Sequence, residues 1–255
     1  MKIQYMSDLH MEFRKNRELL KKEIVAEPTG DILLVAGDCM YLNDIILPKL
    51  RFWKWAEENY RQVLIVPGNH EYYQNYDITR HGDSWQREIA PNISYYYNKV
   101  VRIDDTDFIL STLWSRISEI DEKAIWHGMN DFHCILYDDE RLRPKEYNQE
   151  HVKCFRFIRE AVAASDAKHI VVVTHHAPSL LTIAPEHQVS SLRTAFATDL
   201  DAFIEDSRID YWVYGHSHTN IDCQVGRTKI VCNQLGYVEY GENRHGFDFD
   251  KYFEL

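Results

Sequence analysis

Gln62-Val63-Leu64-Ile65-Val66, running into Pro67-Gly68-Asn69-His70-Glu71, is the stretch on which the fold turns. A β-branched apolar run stops there, and an amide, an imidazole and a carboxylate follow at once. An apolar run of this length bounded by Pro and Gly reads as a buried strand, and the polar groups just past its end read as the lip of a site. The arrangement recurs along the chain. Asp8-Leu9-His10 follows Lys2–Met6, Gly37-Asp38 follows Ile32–Ala36, His175 follows an apolar run over 170–174, and Gly215-His216-Ser217-His218 follows Tyr211–Tyr214.

Outward from these strand ends, the spacing predicts a strand over 2–6, a helix over 18–26 with Leu19, Leu20, Ile24 and Val25 on its apolar face, a strand over 31–36, a helix over 48–60 and a strand over 62–66. Such alternation is the start of a right-handed α/β fold, in which ligands gather at the carboxyl ends of strands. Further strands are expected over 93–97, 100–103, 108–110, 169–174, 209–214, 221–225 and 228–232. Asn148 reads as the N-cap of a helix carrying Val152, Phe155, Ile158, Ala161 and Val162, residues 178–192 as a loop across the rim, and 198–205 as a helix. A final acidic-aromatic segment begins at Tyr237.

Between about 111 and 147 no period is sustained, and the stretch reads as a specificity insert within a single domain spanning 1–255. Its Trp114, Trp126, His127, Asn130, Asp131 and His133 could contact the non-reacting part of a substrate. The aromatic run from Tyr72 to Tyr76, just past His70, could wall one side of the site.

With 255 residues, 45% hydrophobic and 27% charged, the chain can bury one large core. A formal charge of -11 disfavours nucleic acid and anionic membrane as partners, although a bound cation would reverse the field locally. The five cysteines, Cys39, Cys134, Cys154, Cys223 and Cys232, form no C-x-x-C pair, which disfavours a thiolate zinc site or a disulfide framework. The first residues turn acidic before a signal-peptide apolar segment can form, and no run approaches membrane-spanning length. A cytoplasmic location is expected.

Two Asp, one Asn and four His beside strand ends make a mixed nitrogen and oxygen donor set, suited to Mn, Fe, Zn, Co or Ni rather than calcium. Asp8, His10, Asp38, Asn69, His175, His216 and His218 are too many donors for one ion, but Asp38 can bridge two ions and give each four protein ligands. Two divalent ions roughly 3.5–4 Å apart activate a bridging hydroxide for in-line attack on a phosphoester. His70, one residue along from a donor, would stand beside the ions as the catalytic residue and protonate the leaving oxygen.

In this order D-x-H, G-D, G-N-H-E, H and G-H-S-H resemble the calcineurin-like metallophosphoesterase superfamily, from about Asp8 to His218. The resemblance implies a four-layer αββα sandwich of two mixed β-sheets, the metallo-dependent phosphatase fold. It also implies one ion on Asp8, His10, Asp38 and His218, the other on Asp38, Asn69, His175 and His216, and His70 as catalytic histidine. His175 is preferred to its neighbour His176 because the family's pattern there resembles H-H-x-P. After Gly37-Asp38 the chain reads Cys39-Met40-Tyr41-Leu42-Asn43, without the arginine of the phosphoprotein phosphatases' G-D-x-V-D-R-G. The resemblance is therefore closer to the branch containing cyclic-nucleotide and other small phosphodiesterases, which also holds phosphomonoesterases, pyrophosphatases and nucleases. A phosphodiesterase or phosphatase acting on a small phosphoester is the leading expectation; a nuclease and a non-catalytic scaffold of the same fold are the alternatives. Oligomeric state is not legible.

Overall fold

The computed structural model describes residues 1–24 and 28–255. Two six-stranded sheets form its centre. The first runs Tyr252–Glu254, Lys2–Met6, Ile32–Ala36, Gln62–Val66, Ile93–Tyr97 and Trp85–Ala90 from edge to edge, and the second runs Cys223–Val225, Thr228–Cys232, Tyr211–Tyr214, His169–Val173, Thr106–Leu110 and Lys99–Ile103. In each sheet the four inner strands are parallel and both edge strands antiparallel.

Strand periodicity separates three cores, because successive side chains point to opposite faces. Ile32, Leu34, Ala36, Leu64 and Val66 of the first sheet pack against Phe108, Leu110, Val171, Val173 and Val213 of the second. The opposite face of the first sheet, with Leu33, Val35, Val63 and Ile65, takes Leu20 of helix Arg14–Glu23 and Phe52, Trp53 and Ala56 of helix Arg51–Asn59. On the second sheet, Ile170, Val172, Trp212 and Ile230 take Ile158 and Val162 of helix Pro144–Ala164 and Ile204 of helix Asp201–Glu205. Helix, sheet, sheet, helix is the expected αββα order of the metallo-dependent phosphatase fold, and strands covered on both faces explain the unbroken apolar runs.

Several boundaries depart from expectation. The first helix begins at Arg14 rather than 18, and the end expected for it at 25–26 lies outside the described residues. Asn148 caps no helix: Pro144 starts that helix with its fixed φ, and Asn148, one turn inside, accepts from the Ile117 backbone N–H at 2.8 Å and donates to the Ile117 carbonyl at 3.1 Å. The helix expected over 198–205 begins at Asp201, since residues 197–200 are tied to Ala177 and Pro178 by backbone bonds. Strands Trp85–Ala90 and Tyr252–Glu254, not foreseen, are largely exposed edge strands with little apolar signal. The aperiodic stretch folds into short helices Glu122–Gly128 and Asp131–Cys134, and its strands Ile135–Tyr137 and Glu140–Arg141 join Tyr76–Asp77 in a three-stranded sheet.

Candidate metal centre

All five motif loops leave the carboxyl ends of inner parallel strands, and the two sheets bring those ends together. Asp8 and His10 leave Lys2–Met6, Asp38 leaves Ile32–Ala36, Asn69 and His70 leave Gln62–Val66, His175 leaves His169–Val173, and His216 and His218 leave Tyr211–Tyr214. The loops are laced by backbone bonds from Asp8 N to Gly37 O at 3.0 Å, His10 N to Asp38 O at 2.9 Å and Gly215 N to His175 O at 2.9 Å. Asp8, His10, Asp38, His216 and His218 all have positive φ. Such left-handed backbone outside glycine costs on the order of 1–3 kcal/mol per residue and persists only where surrounding structure enforces it.

The seven expected donors fall into two groups that meet at Asp38. Donor atoms of Asp8, His10 and His218 lie within 4.8 Å of one another, as do those of Asp38, His175 and His216. In the first group His10 Nε2 lies 3.0 Å from His218 Nε2, and Asp8 Oδ1 lies 3.3 Å from the same His218 nitrogen. In the second, His175 Nε2 lies 3.0 Å from Asn69 Oδ1 and 3.1 Å from His216 Nδ1. Asp38 turns Oδ2 toward His10 Nε2 at 3.8 Å and Oδ1 toward His175 Nε2 at 3.4 Å, one oxygen to each group.

The donor set fits divalent cations. Imidazole nitrogens facing each other at about 3 Å, with carboxylate oxygens beside them, suit a shared positive centre. Glycines make room: a Cβ on Gly68 would lie 2.1 Å from Asp38 Oδ1, one on Gly37 2.4 Å from His175 Nδ1, and one on Gly215 2.8 Å from Asp8 Oδ2. Three imidazoles have Nδ1 already engaged, His10 by Glu12 at 2.9 Å, His218 by Glu242 at 2.7 Å and His175 by the Ala36 carbonyl at 2.8 Å, which leaves Nε2 to face inward. His176 points elsewhere, with Nε2 2.9 Å from the Tyr147 hydroxyl, so of the adjacent pair it is His175 that faces Asp38.

Burial and neighbouring charges pull on these groups in opposite directions. Burial works against a charged His218, yet hydrogen bonds to Asp8 and Glu242 raise its pKa to about 10; His175, equally opposed by burial, is raised to about 9 by Asp38. Burial, together with the charge on His175, pushes His216 down to about 3. Asp38 is held well below the usual carboxylate range although burial opposes it, through the charges on His175 and His70.

His70 stands at the junction. Its backbone N–H donates to Asp38 Oδ1 at 2.9 Å, its Nδ1 lies 2.9 Å from Glu12 Oε1, its Nε2 lies 3.1 Å from the Tyr237 hydroxyl, and its ring stacks on Tyr73 with centroids 4.1 Å apart. Glu71, the motif's carboxylate, turns inward instead. It accepts N–H bonds from Asp38 at 2.9 Å, Cys39 at 2.8 Å and Gly68 at 2.8 Å and the Tyr95 hydroxyl at 3.0 Å, which clamps the Asp38 and Asn69 loops together. Burial, then the charge on Asp38, raises its pKa to about 7.

Of the aromatic and polar groups in the 111–147 stretch, Asp131 reaches the centre: it accepts from Asn69 Nδ2 at 2.8 Å and from the Tyr73 hydroxyl at 2.7 Å. Trp114 is buried against Tyr72 and Tyr147, and Trp126 is partly exposed and stacks on His127. Glu12, Glu242 and Tyr237 were not singled out from the sequence as site residues. Glu12 alone carried a local signal, since it continues the D-x-H alternation as D-x-H-x-E.

Residues 1–220 match the family model of the calcineurin-like phosphoesterases. Over 277 aligned residues the chain is 28% identical to protein L509 of Acanthamoeba polyphaga mimivirus, covering 99% of this chain and 96% of that one. The crystal structure of phosphopantetheinyl hydrolase PptH from Mycobacterium tuberculosis superposes with a TM-score of 0.69 at 16% identity, over 99% of this chain and 95% of that chain. At that identity the likeness is one of fold.

Proposed function

The chain belongs to the calcineurin-like phosphoesterase family, and from that premise we propose that this metal-dependent phosphoester hydrolase acts on a small phosphomonoester or phosphodiester at a two-cation centre. In this reading Asp8, His10, Asp38 and His218 hold one cation and Asp38, Asn69, His175 and His216 the other. The observation that carries it is Asp38, whose two carboxylate oxygens are turned one to each donor group. Mixed imidazole and oxygen donors suit Mn first, with Fe, Zn, Co or Ni as substitutes. When bound, the cations supply Lewis acidity toward the phosphoryl oxygens and an acidified water for in-line attack.

The protein's own groups do the rest. Glu12 occupies His70 Nδ1, which directs Nε2 into the site. Burial opposes a charge on His70, but Asp38 and Glu12 raise its pKa, which favours the protonated form that a leaving oxygen needs. Tyr73 and Asp131 hold the His70 ring and the Asn69 amide in place.

Residues 1–255 are read as one domain whose 111–147 insert meets the centre through Asp131. The charge of -11 argues against a nucleic-acid partner. Among the described residues no helix is long and apolar enough to cross a membrane. All five cysteines are free, in keeping with a reducing compartment such as the cytoplasm.

The test is a hydrolysis panel with Mn-loaded protein: a chromogenic monoester, a chromogenic diester, and 2′,3′- and 3′,5′-cyclic nucleotides, with His70→Ala alongside. Turnover that needs the metal and is largely lost in metal-replete His70→Ala is expected. Equal rates for parent and variant would remove His70 from its role, and failure to take up any divalent ion would remove the centre.

A further inference from the structure

The segment from Gln234 to Glu242 lies past the span matched by the family, yet it forms a wall of the site. Leu235 N donates to Ser7 O and Gly236 N to Asp8 O, each at 3.1 Å, while Asn16 Nδ2 bridges the carbonyls of Leu9 and Gly236 at 3.0 and 2.8 Å. Gly236 has φ +66, and a Cβ there would come within 2.7 Å of Glu242 Oε2, so the turn requires glycine. Glu242 Oε2 accepts from the Tyr237 backbone N–H at 2.6 Å and lies 2.7 Å from His218 Nδ1, which ties the orientation of Tyr237 to that of a metal-facing imidazole. The Tyr237 ring lies 4.6 Å from the rings of both His10 and His218, centroid to centroid.

That geometry delivers the phenol to one atom. With Nδ1 of His70 engaged by Glu12, Nε2 is the ring nitrogen left to meet a leaving oxygen, and the Tyr237 hydroxyl stands 3.1 Å from it. A phenol, whose ordinary pKa is about 10, offers that position a neutral hydrogen-bond donor.

We propose that Tyr237 is a further catalytic residue, whose hydroxyl donates a hydrogen bond to the phosphoryl group while His70 Nε2 protonates the leaving oxygen. The inference rests on the site reading above. A water oxygen forms the new bond to phosphorus, and the electron pair of the broken P–O bond goes to the leaving oxygen, which takes the His70 proton. The proton released by the water restores His70, and Tyr237 keeps its own throughout.

The test compares Mn-loaded parent, Tyr237→Phe and His70→Ala, with metal content and thermal unfolding measured on each. Phe keeps the ring between His10 and His218 and removes only the hydroxyl. The readouts are steady-state kinetics on a chromogenic phosphoester and the affinity for orthovanadate by calorimetry. Tyr237→Phe should hold its metals and its unfolding temperature, lose roughly 100-fold in kcat with little change in KM, and bind vanadate roughly tenfold more weakly. Parent-like kcat and vanadate affinity in Tyr237→Phe, with His70→Ala inactive, would reduce Tyr237 to packing and leave the site reading standing. A faster Tyr237→Phe would also overturn the proposal, because the hydroxyl would then be a plug. A parent that binds no metal, or an active His70→Ala, would bring down the site reading itself.

Discussion

Asp131 Oδ1 accepts a hydrogen bond from Asn69 Nδ2 at 2.8 Å, and with the Tyr73 hydroxyl 3.3 Å from the same nitrogen this contact sets which end of the Asn69 amide faces the site. With the NH2 group held outward, Oδ1 lies 3.0 Å from His175 Nε2 among the second group of donors. Asp131→Ala frees the amide to rotate and should weaken one of the two metal-binding steps roughly 10- to 100-fold while sparing the other. Stepwise Mn titration by calorimetry checks this; two unchanged binding constants would show that Asn69 needs no such support.

Glu12 Oε1 lies 2.9 Å from both His10 Nδ1 and His70 Nδ1, so one carboxylate aims two rings together, the proposed metal ligand and the proposed proton donor. Glu12→Gln should lower kcat roughly 10- to 100-fold. Across aryl phosphates of rising leaving-group pKa the loss should grow, because poor leaving groups depend most on a well-aimed proton. A uniform loss across the series would assign Glu12 to metal binding alone.

Gly68 admits no side chain, since its Cβ would sit 2.1 Å from Asp38 Oδ1 and 2.7 Å from Asp38 N. Gly68→Ala should destabilise the fold by about 1–3 kcal/mol, the usual range for forced overpacking, and displace the Asp38 carboxylate. Urea unfolding of the metal-free protein and metal content after dialysis are the two measurements. A variant with parental stability and two tightly held ions would contradict the packing described.

Asp77 anchors the three-stranded sheet, accepting from the Thr79 N–H at 2.8 Å, the Thr79 hydroxyl at 2.7 Å and the Asp139 N–H at 2.6 Å. Burial raises its pKa, but these donors outweigh burial and the net shift is downward. A carboxyl whose pKa falls on folding stabilises the native state above its unfolded pKa and loses that contribution as pH drops through the folded value. The stability gap between parent and Asp77→Ala should therefore be roughly 1–3 kcal/mol at pH 7. It should narrow below about pH 4, where the unfolded carboxyl takes up its proton. Denaturant unfolding of both proteins across pH 3–7 tests it, and a gap that widens on acidification would reverse the sign.

The five strand-end motifs were legible because inner parallel strands covered on both faces read as unbroken apolar runs, and the donor residues sit immediately beyond them. His70, Asp38 and Asn69 could be read from spacing for that reason. Glu242 and Tyr237 could not, because their roles exist only through contacts across 24 and 167 residues of chain, and Asp131, legible only as one of a dense polar set, meets Asn69 across 62. The sheet around Tyr76–Asp77 escaped notice for a different reason: strands of two or three residues are too short to establish a period. Asn148 shows propensity overruled, with proline setting the helix start and the amide spent on fastening Ile117.

Left-handed backbone at Asp8, His10, Asp38, His216 and His218 means that glycine would suit each of those turns better than the residue standing there. Every substitution that eased the chain at those positions would erase a donor in the same stroke. Selection for durability and selection for turnover thus pull opposite ways at five codons, and a lineage released from the need to turn over substrate has a downhill route, one relaxed loop at a time, toward a sturdier and inert descendant.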